Sequence, residues 1–339
     1  MKKFSHAWLA FMAIKRLDDK KQDLGKNDQK HAVSLKKWFM EHKDKVTQGA
    51  WFPDSLIRDM ADKHVLKLAP DDKVPPKKDS ILPGERKKLP KEYLIFKYGK
   101  DSPVRGQAFR VTDPNDNLPD RCESLAEAVI DQLKVQENEE KGSPVSPTDN
   151  QVALWLFMLS HYVADAHVPV HCDARPFSDG KDIHGKLEKV WDDEIRKYYR
   201  LNEQETRFLY DTKGYPKPAK DLTDDESYKN SFLKAVADEL DTRKYKHSFG
   251  TGNKNVWDFM NAICHNSYLI SYRFFPPGYG PDNVTTQNWK TLAPDFSLHE
   301  VSTAALADAI DSISRVWFRV WRRYEKWAKK RKPKPMQNP

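Results

Sequence analysis

Apolar residues recur with a helical period over most of this chain, and Pro- and Lys-rich stretches separate the periodic segments. A capping box, Thr148 with Gln151 three residues later, is typical of a helix start. The pattern predicts helices over the following segments: Ser5–Leu17, His31–His42, Ser55–Leu68, Glu123–Val135, Val152–Ala166, Ile183–Tyr199, Ser231–Leu240, Val256–Phe274 and Val301–Lys329. The sequence therefore predicts a mostly α-helical fold, built as a single multi-helix domain with long irregular loops.

The helical period is lost between Ala69 and Asp120, where prolines lie among lysines and aspartates. We interpret residues 69–120 as a surface insertion, with a short strand near Tyr93–Phe96. The predicted domain covers residues 1–331, and residues 332–339 form a basic, Pro-containing tail. The apolar run Ala7–Ile14 ends at two basic residues without a small-residue cleavage pattern, so we interpret it as a helix of the folded protein rather than a signal peptide.

Composition narrows the classes of protein further. Of 339 residues, 38% are hydrophobic and 12% aromatic, enough for a sizeable core. No apolar run approaches the length of a membrane-spanning helix. The excess of Lys and Arg over Asp and Glu, 58 − 50 = +8, is typical of proteins with anionic partners, but on charge alone a solvated, Lys-rich surface is the preferred interpretation. Three cysteines, an odd number, imply no disulfide framework, and the cellular compartment stays open.

One stretch carries candidate chemistry. His161 and Asp165 are four residues apart on a predicted helix and therefore share one face. A proline then ends the helix, so His171 can approach from the following turn, and His184 and Glu188 repeat the four-residue spacing. Imidazole and carboxylate groups are the ligands that zinc favours. A carboxylate among apolar residues is also costly without a cation. The sequence therefore predicts a metal centre.

These motifs resemble the zinc-dependent phospholipase C and P1 nuclease superfamily. The resemblance rests on His161-x3-Asp165-x5-His171 followed by His184-x3-Glu188, on Ser5–Leu9 in the first helix, and on Gly49–Asp54 with His64 beyond it. It leaves the 69–120 insertion and the chain beyond Trp191 unmatched.

The resemblance implies a mostly helical fold that holds up to three zinc ions. It implies that Asp54 is both a ligand and the group that orients or deprotonates the attacking water. It would assign the first zinc to Asp54, His64, His161 and Asp165, the second to His171, His184 and Glu188, and the third to Asp165, His6 and the terminal amine and carbonyl of Met1. Family members usually begin with Trp rather than Met, but the spacing from Met1 to His6 matches the nucleases.

Adjacent zinc ions would lower the pKa of a water molecule and neutralise phosphoryl charge, so the implied reaction is phosphodiester hydrolysis. The substrate class is less sharply indicated. Glu188 as the last ligand resembles the phospholipases, whereas Trp191-Asp192 resembles the nucleases. A phospholipase needs an apolar rim for contact with a membrane surface, and a nuclease needs aromatic platforms for bases.

Two aromatic segments are candidates for binding the substrate, although packing against the core is an equal alternative for the second. One is Trp51 with Phe52 beside Asp54, and the other is Phe274 with Phe275 in the loop Arg273–Tyr279.

The leading hypothesis is a zinc-dependent phospholipase C that acts as a monomer on phospholipid. The first alternative is a nuclease that prefers single-stranded nucleic acid. An alternative of another class is a non-catalytic helical protein in which zinc only links helices; such closed sites leave no position for water.

Overall fold

Helices make up most of the chain in the computed structural model, which describes residues 1–58, 62–70, 109–111, 116–139, 143–177, 183–250, 255–280 and 282–331. The α-helices of these residues are α1 (Lys3–Asp19), α2 (Lys26–His42), α3 (Val46–Gly49), α4 (Leu118–Asn138), α5 (Asp149–Asp165), α6 (Ile183–Tyr198), α7 (Glu226–Lys229), α8 (Phe232–Thr242), α9 (Val256–Phe274) and α10 (Leu298–Arg331). The short strands β1 (Leu68–Pro70) and β2 (Phe109–Val111) pair antiparallel.

Capping side chains determine where several of the helices begin. At α5 the Thr148 hydroxyl accepts a hydrogen bond from the Gln151 amide (3.2 Å), and the Gln151 side chain accepts one from the Thr148 amide (2.8 Å). This confirms the predicted capping box. Asn255 caps α9 in the same way, through the amide of Asp258 (2.8 Å).

The core lies around α5 and α10. Helix α5 is buried from Leu156 to Asp165, as expected for a helix that is apolar on nearly every side. Helix α10 packs against α1, α2, α4, α5 and α8, and its Trp317 ring lies among Phe39 and Phe157. A single hydrophobic cluster joins these helices. The prediction of a mostly helical, single-domain fold is confirmed.

The third predicted helix, Ser55–Leu68, is wrong. Pro53–Ile57 form a single π-helical turn that ends at Arg58, whose amide donates to the Pro53 carbonyl (2.8 Å) and whose φ of 53° is left-handed. A left-handed residue turns the chain out of the helix. After a gap in the described residues, a 3₁₀ turn at Asp62–His64 leads into β1.

Other predictions fall outside the described residues. They are the strand near Tyr93–Phe96, nearly all of the 69–120 insertion, and the tail at residues 332–339. The domain boundaries stay a prediction.

Two findings bear on the predicted class of protein. None of the described helices has both the length and the apolar character that a membrane crossing requires. Cys122, Cys172 and Cys264 are all buried and free.

Candidate metal centre

Separate parts of the fold bring the nine predicted ligand residues to one place beneath α1. His161 and Asp165 lie in the last turns of α5, and Pro169 begins a 3₁₀ turn that presents His171. His184 and Glu188 face the same place from α6. The remaining four come from α1, the π-helical turn and the 3₁₀ turn before β1: Met1, His6, Asp54 and His64.

Three groups of these side chains have the geometry of a metal site. In each group the ligand atoms lie within 4.8 Å of one another: His6 with Asp54 and His161, His64 with His161 and Asp165, and His171 with His184 and Glu188. His161 belongs to two groups. The first two groups therefore overlap, as expected for closely spaced ions rather than isolated sites.

A backbone carbonyl fixes the orientation of His161. Its Nδ1 donates to the Ala50 carbonyl (2.8 Å), so its Nε2 carries the lone pair in the neutral ring. That Nε2 lies 3.1 Å from Asp165 Oδ2 and 3.5 Å from Asp54 Oδ1. Acceptors that face each other in this way require a shared proton or a metal ion.

Gly49 allows this contact. A Cβ atom at Gly49 would lie 2.8 Å from the Cβ of Phe157 on α5, so only glycine lets α3 and the Ala50 carbonyl come this close to the helix.

His171 repeats the arrangement. Its Nδ1 donates to the His64 carbonyl (3.0 Å), and its Nε2 points at His184 Nε2 (2.7 Å) and Glu188 Oε1 (3.3 Å). Such outer hydrogen bonds are what orient ligand imidazoles in metal sites. Neither carbonyl partner was predictable from the sequence, because every residue has a backbone carbonyl and a residue pattern does not show which one accepts a hydrogen bond.

His6 tests whether the residues fit a metal ion. Its ring is fully buried and stacks on His161 with centroids 3.8 Å apart, and among the described residues neither ring nitrogen has a hydrogen-bond partner. Its Nε2 lies 3.5 Å from Asp165 Oδ1. A buried nitrogen without a partner is costly, and a bound cation would remove that cost. The donor set of imidazoles and carboxylates fits zinc.

The α-amino group of Met1 is buried between two carboxylates. It lies 2.7 Å from Glu188 Oε1 and 3.2 Å from Asp165 Oδ1. Burial acts to lower the pKa of this amine, but the two carboxylates outweigh it and raise the pKa to about 10.

In the metal-free centre, the protonated Met1 amine and the His161 imidazolium neutralise the buried carboxylates. Burial acts against the His161 imidazolium, but Asp165 and Asp54 raise its pKa to about 9. Burial acts to raise the pKa values of Asp165 and Glu188, but the Met1 amine and neighbouring imidazoles hold both well below their usual range. Burial lowers the pKa of His171 to about 4. A metal ion would displace the protons on Met1 and His161.

A pocket of about 410 Å³ lies near the cluster, although none of the nine candidate ligands lines it. Trp51 and Phe52, the first predicted aromatic pair, line it together with Lys3 and Arg207. The Trp51 ring lies 6.3 Å from the His6 ring. The structure therefore places this pair next to the candidate ligands.

The prediction that the second aromatic pair, Phe274 with Phe275, binds the substrate is wrong. Phe274 is 1% exposed and Phe275 0%; Phe275 stacks on Phe177 (4.4 Å) and Phe274 packs edge-on against Trp289. Helix α9 runs to Phe274 and the chain then folds back onto the core, so these rings stabilise the fold and do not form an exposed rim.

Two other histidines have structural partners. His167, which lies two residues after Asp165, is buried and hydrogen-bonded to the Ser312 hydroxyl on α10 (2.9 Å). His31 pairs with Glu325. These partners place both side chains in contacts between helices rather than in the metal centre.

Comparisons with known proteins add one similarity. No protein-family model and no curated protein matches the chain significantly. Among solved structures the chain is similar to the alpha-toxin of Clostridium perfringens from avian strain SWCP, with 16% identical residues and a TM-score of 0.45. The alignment covers 93% of this chain and 63% of the toxin, so this chain spans less than two thirds of that protein. A similarity at this level carries no argument about function.

Proposed function

We propose that this protein is a zinc-dependent phosphodiester hydrolase that cleaves phospholipids as a phospholipase C. The overlapping triads of buried imidazoles and carboxylates carry this proposal, together with the unpartnered ring of His6. The motif resemblance supplies the reaction class.

In this proposal three sets of residues hold the ions: Asp54, His64, His161 and Asp165 the first, His171, His184 and Glu188 the second, and Asp165, His6 and Met1 the third. Bound zinc ions supply an activated water and neutralise the charge that develops on the phosphoryl group.

Asp54 is the proposed catalytic group. Its side chain is about one fifth exposed, with a relative accessibility of 21%, whereas Asp165 is fully buried. Asp54 lies on the π-helical turn at the mouth of the cluster, with Oδ1 3.5 Å from His161 Nε2. It can therefore hold an ion and also accept a proton from, or orient, a water molecule that enters from solvent. Asp165 has no such access and can only bind and neutralise.

Exposed apolar side chains beside Asp54 favour a lipid substrate. Leu56 is 66% and Ile57 41% exposed, and both follow Asp54 in the same turn. Large apolar side chains at the rim of a site are suited to contact with a membrane surface. The net charge of +8 would favour an anionic one.

A single-strand nuclease is the second candidate, and the lining of the nearby pocket favours it. Trp51 and Phe52 line this pocket together with the cations Lys3 and Arg207, and aromatic rings beside cations are suited to bases and backbone phosphates. Arg207 is, however, paired with Asp44 (2.6 Å), and the Lys3 amine donates to the Glu205 carbonyl (3.3 Å), so both cations already have partners.

The test is turnover of a short-chain phosphatidylcholine and of single-stranded DNA, side by side, by zinc-loaded and metal-stripped protein. Lipid turnover that is lost on stripping supports the phospholipase. Metal-dependent turnover of DNA alone contradicts the lipid assignment and supports the nuclease. Zinc binding without turnover of either contradicts both and favours a zinc that only links helices.

A further inference from the structure

Helix α1 begins without a cap of its own. Lys2 occupies the cap position and makes no side-chain hydrogen bond to the helix, and the first turn contains no acidic residue. The first amides of an α-helix have no partner within the helix, and the positive end of the helix dipole is located there. Since Phe4 and Ser5 are buried, water cannot satisfy their amides fully.

Asp192, on the neighbouring helix α6, supplies the missing cap. Its Oδ1 accepts hydrogen bonds from the amides of Phe4 (2.9 Å) and Ser5 (2.9 Å) and from the Ser5 hydroxyl (3.1 Å). A helix-capping side chain binds the same early amides, but it normally belongs to the helix that it caps. Asp192 is buried, so its carboxylate and these donors satisfy each other.

The first turn of α1 lies between two members of the candidate metal centre. His6 directly follows the capped amides, and Met1 lies three residues before Phe4, just outside the helix. Glu188, which holds the Met1 amine, lies one turn before Asp192 on the same side of α6. One helix therefore binds both the end of the chain and the first turn of α1.

We infer that Asp192 is a positioning residue that holds Met1 and His6 in the metal centre. This inference about Asp192 rests on the proposed function, because it requires that the cluster binds metal ions. Among the described residues neither nitrogen of the His6 ring has a hydrogen-bond partner, so its place on α1 and its stacking on His161 position the ring. When Asp192 is removed, the first turn of α1 loses its cap, and Met1 and His6 leave the cluster. His161 and His171 stay, because backbone carbonyls outside α1 hold them.

The experiment compares Asp192→Ala and Asp192→Asn with wild type, with Asp193→Ala as the matched control. Asp193 is the next residue on α6, but it is exposed and pairs with Lys189 at the surface. The first readout is acylation of the Met1 amine in metal-free protein at pH 7.5, followed by peptide mass spectrometry and normalised to labelling of the exposed Lys189. The second is the number of zinc ions bound per chain.

For Asp192→Ala we expect Met1 to be acylated at least about tenfold faster than in wild type, because the first turn of α1 opens and exposes the buried amine to the reagent. We also expect one bound zinc fewer, with the other ions retained. Asp192→Asn keeps an oxygen acceptor but loses the charge, so we expect its acylation rate to lie between those of wild type and Asp192→Ala. Asp193→Ala should match wild type.

Unchanged acylation of Met1 in Asp192→Ala overturns the inference. If that variant does not fold, Asp192→Asn decides: faster acylation than wild type supports the inference and an equal rate overturns it. Failure of the proposed function gives a different result. In that case wild type binds no zinc and hydrolyses neither substrate, while acylation of Met1 still depends on Asp192.

Discussion

Asp165 is the residue whose replacement should disturb the centre most. Four nitrogens lie within 3.5 Å of its carboxylate: His64 Nδ1 at 2.8 Å, His161 Nε2 at 3.1 Å, the Met1 amine at 3.2 Å and His6 Nε2 at 3.5 Å. In Asp165→Asn the shape is kept, the charge is lost, and an amide donor can face imidazole nitrogens. Among the described residues, the charged Met1 amine then keeps only Glu188 as a close carboxylate partner.

The magnitude follows from burial. Asp165 and the Met1 amine are both nearly inaccessible to solvent, and removal of one partner from a buried ion pair costs about 3–5 kcal/mol. We expect the free energy of unfolding of metal-free Asp165→Asn to be lower than that of wild type by this amount. At pH 7 the wild-type carboxylate is fully ionised, because its pKa lies well below the usual range.

The assay is urea unfolding at pH 7 in the presence of a chelator, with the exposed Asp193→Asn as the control. In zinc, Asp165→Asn should also bind fewer ions, since two of the proposed sites share this carboxylate. A change in the free energy of unfolding below about 1 kcal/mol, the range of exposed ion pairs, together with unchanged zinc content, would show that Asp165 neither stabilises the centre as a buried ion-pair partner nor binds zinc.

Further predictions concern pH, the chain end, the rim and the core. The pKa of His161 rises from 6.5 to about 9 on folding, so its contribution is complete below pH 6.5 and is lost as the pH rises towards 9. The free energy of unfolding of metal-free protein should therefore fall by up to about 1.4 kcal/mol per pH unit across this window. In His161→Gln the free energy of unfolding, measured by chemical denaturation, should fall less over the same window. A Gly-Ser extension before Met1 should remove one bound zinc, because an amide nitrogen cannot replace the amine; three ions retained at full turnover would contradict this. Leu56→Asp should weaken turnover of vesicles about tenfold or more but leave hydrolysis of a water-soluble phosphodiester unchanged, and equal effects on both substrates would exclude a membrane-contacting role. Phe275→Ala should lower the free energy of unfolding by about 3–5 kcal/mol with unchanged KM, and a selective rise in KM would return this ring to the substrate site.

The sequence predicted the candidate site better than its surroundings. The spacing of His161 and Asp165 determines their common helix face, and the capping box at Thr148 determines where that helix begins. The long-range approach of Asp54 and His64 came only from the motif resemblance, and the structure brings both to the cluster. Whether these residues bind zinc stays a prediction.

What the sequence did not predict depends on tertiary contacts. Whether Phe275 faces solvent is decided by the return of the chain onto Phe177, which no local pattern encodes. The apolar period predicts a helix beyond Ile57, but the left-handed backbone of Arg58 ends the turn there. The cap that Asp192 provides for α1 crosses 187 residues of sequence, and helix propensity describes only contacts near in the chain.

Zinc titration of metal-stripped protein, with phosphodiester turnover measured at each step, shows whether the clustered imidazoles and carboxylates form a catalytic zinc centre. We expect turnover to rise from zero and to saturate at about two to three zinc ions per chain, and we expect His161→Ala to stay inactive throughout. Turnover that does not depend on zinc, or full turnover in His161→Ala, would contradict this expectation.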